Sequence, residues 1–248
     1  MDEIALEIKK TGKVKKIVSL PFPVYFWTVF ALAIGGLVNS LYLSVSHYRV
    51  YTDIGYKSFC ALTRTINCDT VSQSPYSIFL DLPVPVWGII GYSLFLLLLT
   101  QKSKNRSHSH GLWSLLFLTA CGFSAYSIVL AWISSFLIHS YCIMCIVSYG
   151  INFSLLFYCW LVLRRFSAQT FLAELKADLS HLAEQQSRMI FVFGIFLIAA
   201  LTVWIVFPNY WNSQTPLPPS NFATGITADG HPWIGAEQPE VEIVEFTD

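Results

Sequence analysis

The chain has little charge. Only 12% of its 248 residues are Asp, Glu, Lys or Arg, and acids and bases balance at 15 each. A chain without net charge offers no field to a polyanion, so no nucleic-acid partner is implied. Five long stretches hold almost no ionisable residue. That argues against a pore or transporter, whose ion paths are marked by charge inside the membrane. No internal repeat or low-complexity tract is evident. No convincing small-residue cleavage site follows the first apolar stretch, which therefore reads as an anchor rather than a signal peptide.

What the chain has in abundance is apolar surface, 54% of residues with a mean hydropathy of +0.55. The fold class this implies is an all-α integral membrane protein. Spanning segments are expected at roughly 21–47, 85–100, 112–138, 141–163 and 189–208. The second is the shortest, with Pro85 suited to its first turn. The organisation that follows is a basic tail over 1–20, a four-helix core over 21–165 with an outer loop at 48–84, a connector over 166–188, a fifth span over 189–208 and an outer linker over 209–248.

Twelve of the 15 basic residues, among them Lys9, Lys16, Lys102, Arg106, Arg164 and Arg188, fall on one side of this arrangement. That side is expected to be cytoplasmic. The other side holds Arg49, Lys57 and Arg64, and the chain from 209 onward holds no Lys or Arg. The protein is then a multi-pass protein of the inner (cytoplasmic) membrane, in contact with lipid, with residues 48–84 and 209–248 facing the periplasm or cell exterior.

Four of the six cysteines gather on that outer, oxidising side. Cys60 and Cys68 lie in the loop. Cys142 and Cys145 open the fourth span as a C-x-x-C pair, about one helical turn apart, the second sulfur roughly 4.5 Å deeper. A helix N-terminus favours the thiolate, which is the reactive form. A dithiol at this depth is placed to pass electrons between a water-borne thiol and a lipid-borne carrier. A loop pair and a helix pair together suit a two-stage relay through mixed disulfides. The alternatives are a structural disulfide, or a metal site that recruits Cys60, Cys68 or His139. Cys121 and Cys159 fall within spans and read as small apolar packing. His47, His108, His110, His139, His181 and His231 read as ordinary surface or interfacial residues.

Two further segments carry expectations. Tyr76–Leu80 is apolar and reads as a short helix on the membrane surface. Residues 166–187 read as an amphipathic connector with a stripe of Phe171, Leu175, Leu179 and Leu182, and with Asp178 off the stripe. Pro216, Pro218, Pro219, Gly225 and Gly230 mark an outer linker. Val241–Asp248 is β-rich and reads as the first strand of a domain that continues beyond it, since one strand cannot bury a core.

Several short motifs combine. They are Ser40-Leu41-Tyr42, then Cys60 and Cys68, then Leu130-Ala131-Trp132-Ile133, and last the run from Cys142 through Tyr149 to Asn152. With them the chain over about 21–165 resembles the vitamin K epoxide reductase (VKOR) family, including its bacterial quinone-linked members. The tail is similar to that family's fusions to a thioredoxin-like domain. The resemblance implies a quinone-dependent thiol–disulfide oxidoreductase that supports disulfide bond formation, with ubiquinone or menaquinone as the quinone. Cys60 and Cys68 match the shuttle pair that takes electrons from a thioredoxin-like or DsbA-like redox protein. Cys68 would attack at Cys142, leaving Cys145 beside the quinone. Tyr149 matches a tyrosine that hydrogen-bonds a quinone oxygen. Where vertebrate members have a substrate-holding asparagine, this chain has Val84-Pro85-Val86-Trp87-Gly88, and Trp87 is expected to supply an apolar wall. Asn152 reads as a buried, satisfied amide. A non-enzymatic alternative is a membrane anchor for an outer thioredoxin-like domain.

Overall fold

The structure, a computed structural model, describes residues 21–53, 55–63, 65–101, 112–166, 171–184, 186–212, 223–226 and 232–235. The basic tail 1–20, Lys102, Lys104, Arg106, His108, His110 and the strand expected at Val241–Asp248 lie outside the described residues.

The protein is an all-α membrane protein. Its helices are α1 (Phe22–Thr52), α2 (Cys68–Gln73), α3 (Val84–Thr100), α4 (Trp113–Ile133), α5 (Ile143–Phe166), α6 (Phe171–Glu184) and α7 (Gln186–Val206). Three of them, with α4 extended to Ile138, have the length and apolarity to cross a membrane: α1, α4 and α5. α3 and the segment Phe191–Val206 are apolar but shorter. Large apolar side chains such as Val38, Val129, Trp132, Phe153 and Ile205 remain exposed around the outside. A helix apolar on all its faces makes sense only where lipid is the solvent.

α1 packs on α3 and α5, α5 packs on α4, and α4 closes on α3. Lipid tails are as apolar as the side chains, so association rests on close contact and small residues. Gly36 of α1 accordingly lies against the ring of Tyr92 in α3, where a Cβ would overlap it. Ala33 and Ala120 are fully buried. The half of the bundle that holds the start of α1 is a dense core of Tyr25, Val29, Phe95, Leu116, Leu155, Cys159 and Val162. Phe22, Trp113 and Phe166 make edge-to-face contacts at its base, and Arg165 donates to the Tyr25 hydroxyl.

Several elements differ from expectation. α1 runs to Thr52, past the expected end at 47, because the polar turn around Arg49 stays helical until Asp53 N–H closes on the Arg49 carbonyl. Tyr76–Leu80 is not a surface helix. One 3-10 turn, Pro75–Ser77, leads into a hairpin of β1 (Ile78–Phe79) and β2 (Leu82–Pro83). Its two-residue loop, Leu80-Asp81, has φ of 51° and 57°. Such turns normally use Asn-Gly or Asp-Gly; Asp81 tolerates the left-handed region, which costs a residue such as Leu80 about 1–2 kcal/mol. α4 passes into a wider π turn over Ser134–Ile138, ended by left-handed His139.

In the connector α6 the contact to the bundle comes from a residue off the apolar stripe. Leu179 is exposed, whereas Asp178 is buried and its Oδ2 accepts the backbone N–H of Ser114 at 3.0 Å. α4 has no side-chain cap of its own. An acid is stabilising at the exposed N–H groups of a helix start, which accounts for the burial of Asp178 there. Burial pushes the Asp178 carboxyl above the usual range, against the opposing pull of the Ser114 hydrogen bond.

Residues 209–248 form a separate unit. It contains a 3-10 turn at Tyr210–Asn212 and an antiparallel pair, β3 (Ala223–Ile226) with β4 (Pro232–Gly235), in register Thr224↔Ile234. Part of the expected linker is thus a hairpin. Asp229-Gly230, a common hairpin-turn dipeptide, falls between the strands in sequence.

Candidate functional site

The two cysteine pairs meet at one end of the bundle. Cys60 and Cys68 are joined as a disulfide, Cα atoms 5.7 Å apart, and both are buried. Cys68 is the first residue of α2. Asn67 caps that helix, its Oδ1 accepting the N–H groups of Asp69 at 3.0 Å and Thr70 at 3.3 Å. Asp69 ties the loop together, because its Oδ2 accepts the N–H of Ser58, two residues before Cys60.

A short stretch of parallel pairing brings the pairs together. Ile66 bridges to Tyr141. Asn67 N–H donates to the Tyr141 carbonyl at 3.0 Å, and Tyr141 N–H to the Thr65 carbonyl at 2.8 Å. Ser140 Oγ donates to the Asn67 carbonyl at 3.4 Å, and Ser134 Oγ to the Ser140 carbonyl. Asn67 immediately precedes Cys68, and Tyr141 immediately precedes Cys142. Pairing the two preceding residues holds the two cysteines side by side. Leu43, Cys60, Cys68 and Cys142 form one buried cluster, with Cys145 packed against it.

Cys142 and Cys145 are thiols. Cys142 stands one residue before α5. Its carbonyl accepts the N–H of Ile146 at 3.1 Å, and its sulfur accepts the N–H of Cys145 at 3.2 Å. The sulfur thus occupies the place of a capping oxygen, and an N–H aimed at sulfur favours the thiolate.

On the other side of this turn lies a cavity of about 320 Å³ between α1, α3, α4 and α5. Cys145, Tyr149 and Trp87 line it; Cys142 does not. The cavity wall is mostly apolar, with hydroxyls from Ser40, Ser127 and Ser148 among the polar groups. Among the described residues the Tyr149 hydroxyl has no hydrogen bond to a protein atom. Trp87 is not only a wall, since its indole N–H donates to the Phe79 carbonyl at 2.8 Å. Asn152 lines the deep end. Its Oδ1 accepts from the Tyr92 hydroxyl at 2.6 Å and its Nδ2 donates to Ser127 Oγ at 2.9 Å, so its amide is satisfied by the protein.

His47 is a correction. It is 1% exposed, lines the cavity, and pairs Nε2 with Ser77 Oγ at 3.2 Å. Its place near the end of the first span suggested an interface residue, but α1 continues another turn and the 3-10 segment covers it. His139 is exposed, as expected of a surface residue. Cys159 is fully buried in the inner core and Cys121 is half-buried on α4. Among the described residues no group of three or more His, Cys, Asp or Glu stands together as metal ligands would. Asn39 is a residue that sequence reasoning passed over. Its amide donates to the Met144 carbonyl at 2.9 Å and to Ser148 Oγ at 2.7 Å, fixing α1 against the turn that carries Cys145. An amide inside an apolar span was the available signal.

A sequence model of the vitamin K epoxide reductase family matches residues 27–160. The mouse protein named vitamin K epoxide reductase complex subunit 1 is 31% identical over 142 residues, which span 51% of this chain and 83% of the mouse protein.

Proposed function

This chain belongs to the vitamin K epoxide reductase family, and we propose that it is a relay that takes electrons from an outer thioredoxin-like or DsbA-like protein and delivers them to a membrane quinone, so supporting disulfide formation. The observation that carries this reading is the pairing of Asn67 with Tyr141, which sets Cys68 beside Cys142 while Cys145 faces the cavity.

The residues act in sequence. A reduced partner opens Cys60–Cys68. The Cys68 thiolate attacks Cys142 of a Cys142–Cys145 disulfide, and Cys145 leaves as thiolate. Cys60 then attacks Cys68, re-forming the loop disulfide and releasing Cys142. A quinone, when bound, accepts two electrons and two protons as Cys142 and Cys145 close to a disulfide again.

The cavity suits such a ring. It is of the size of small-molecule sites, roughly 300–1,000 Å³, and like them is mainly apolar with a few directed polar groups. Tyr149 would donate to a ring oxygen, Trp87 would form one wall, and Cys145 would hold the reacting sulfur at the edge. We place the site toward the periplasm or cell exterior, in the inner membrane, because basic residues flank the opposite ends of the spans. Labelling of a cysteine introduced at position 104 from outside the cell would overturn that orientation.

The direct test uses purified protein, a reduced thioredoxin-like donor and a soluble quinone, followed by absorbance. Quinone reduction that needs all four of Cys60, Cys68, Cys142 and Cys145 is expected. Donor oxidation that proceeds equally without quinone, or without Cys145, would overturn the relay.

A further inference from the structure

The fifth long helix lies beyond the stretch that the family shares, 27–160, yet it reaches the hairpin whose Phe79 lines the cavity. Trp204 of α7 donates its indole N–H to the Leu80 carbonyl at 2.9 Å, across 124 residues of sequence. Leu80 is the first of the two left-handed residues in the β1–β2 turn. Asp tolerates that conformation but Leu does not, so the turn gains from contacts outside itself.

What the turn carries is Phe79. Its ring lies 6.2 Å from that of Trp87 on α3 and 6.1 Å from that of Tyr126 on α4. All three residues line the cavity. Phe79 therefore spans the seam between α3 and α4 at its outer end. Among neighbouring helices of the bundle, α3 and α4 pack least closely. Phe79 is itself half exposed on the outside of the bundle. A lipid-soluble ring that enters sideways meets this seam first. Two indoles hold the hairpin over it: Trp87 grips the Phe79 carbonyl and Trp204 the Leu80 carbonyl. α7 also touches the inner core through Phe193, so Trp204 is presented by a helix seated at its other end.

We propose that Trp204 is a positioning residue that holds the Leu80-Asp81 turn, and with it Phe79, across the α3–α4 seam, and so sets how fast a lipid-soluble ring exchanges between membrane and cavity. The proposal rests on the quinone reading above. Part of its test needs no quinone, so the two can fail separately.

Trp204→Phe keeps the ring and removes the N–H. The first readout is the rate at which N-ethylmaleimide, diffusing from the membrane, labels Cys145, followed peptide by peptide by mass spectrometry. Cys145 should label several-fold faster, the order expected for one lost hydrogen bond, with Cys121 unchanged. Leu80→Gly relieves the left-handed turn without removing its carbonyl, and in that background Trp204→Phe should change labelling much less. The second readout is quinone binding and reduction. Trp204→Phe should raise the rates of quinone binding and release together several-fold, with affinity and kcat little changed, and leave exchange between the two cysteine pairs at its wild-type rate. Unchanged Cys145 labelling, or slower exchange between the pairs, would overturn the proposal. A wild-type protein that reduces no quinone, but whose Cys145 labelling still depends on Trp204, would overturn the quinone reading and leave the strap standing.

Discussion

Cys145 and Cys159 sit 14 residues apart on one helix, about 21 Å along its axis. At one end Cys159 is fully buried, in one apolar core cluster with Tyr25, Phe95, Leu155 and Val162. At the outer end Cys145 borders a cavity, its backbone N–H reaches Cys142, and a second cysteine pair packs alongside. The helix and the side chain are the same. What differs is distance from the helix N-terminus, from a partner thiol and from open space. In the proposed relay these surroundings make a thiol a redox group, and without them it is a small apolar residue.

The sharpest way to break this comparison is to remove each sulfur in turn. Cys145→Ser should lower turnover on the order of 10³-fold or more, as loss of a reacting group does, while the quinone stays bound. Cys159→Ala should leave turnover within about two-fold and lower stability by about 1 kcal/mol through the small cavity it leaves. Equal losses in steady-state assays of the two variants would erase the distinction between the two ends.

A second test stays at the outer end. Tyr149→Phe removes one hydroxyl from the cavity wall and nothing from the packing. Quinone affinity should fall several-fold, about 1 kcal/mol, in a titration against the purified protein. Unaltered affinity would remove Tyr149 from the site without touching the cysteine relay.

The smallest effect belongs to the inner end. Asp178→Ala should cost about 1 kcal/mol of thermal stability, because α4 loses its only described cap at Ser114, and turnover should not change. pH sharpens this prediction. Burial raises the Asp178 carboxyl in the folded state. The folded protein then holds that proton more tightly than the unfolded chain does. Wild type should lose stability relative to Asp178→Asn as pH rises from the unfolded carboxyl pKa through the raised folded one. Thermal melts at several pH values would show the trend, and the opposite slope would contradict it.

The same division of the molecule decides what was legible beforehand. Helix positions followed from long uncharged runs, because lipid imposes one requirement on a whole segment. The sorting of six cysteines by depth needed only those runs. The place of Cys145 and Tyr149 on one cavity followed from helical spacing, since both lie on a single helix. Long-range contacts were hidden. Nothing local to Ile66 or Tyr141 announces their pairing. His47 became part of the cavity only because α1 ran on past it and Ser77 folded over. Asp178 sat off an apolar stripe until the unsatisfied N–H of Ser114 drew it inward. Leu80 and Asp81 gave no turn signal, because their conformation is held from outside by Trp204 and by the hairpin itself.

The relay's order can be read from one trapped species. Run in reverse, the exchange has the Cys142 thiolate open the loop disulfide at Cys68 and Cys145 resolve the product; Cys145→Ala removes that second helix thiol, so Cys142 should remain bonded to its loop partner. Non-reducing mass spectrometry of this variant should find the Cys68 and Cys142 peptides joined and Cys60 alkylatable. A Cys60–Cys142 crosslink would reverse the loop roles, and the absence of any crosslink between loop and helix would contradict the relay itself.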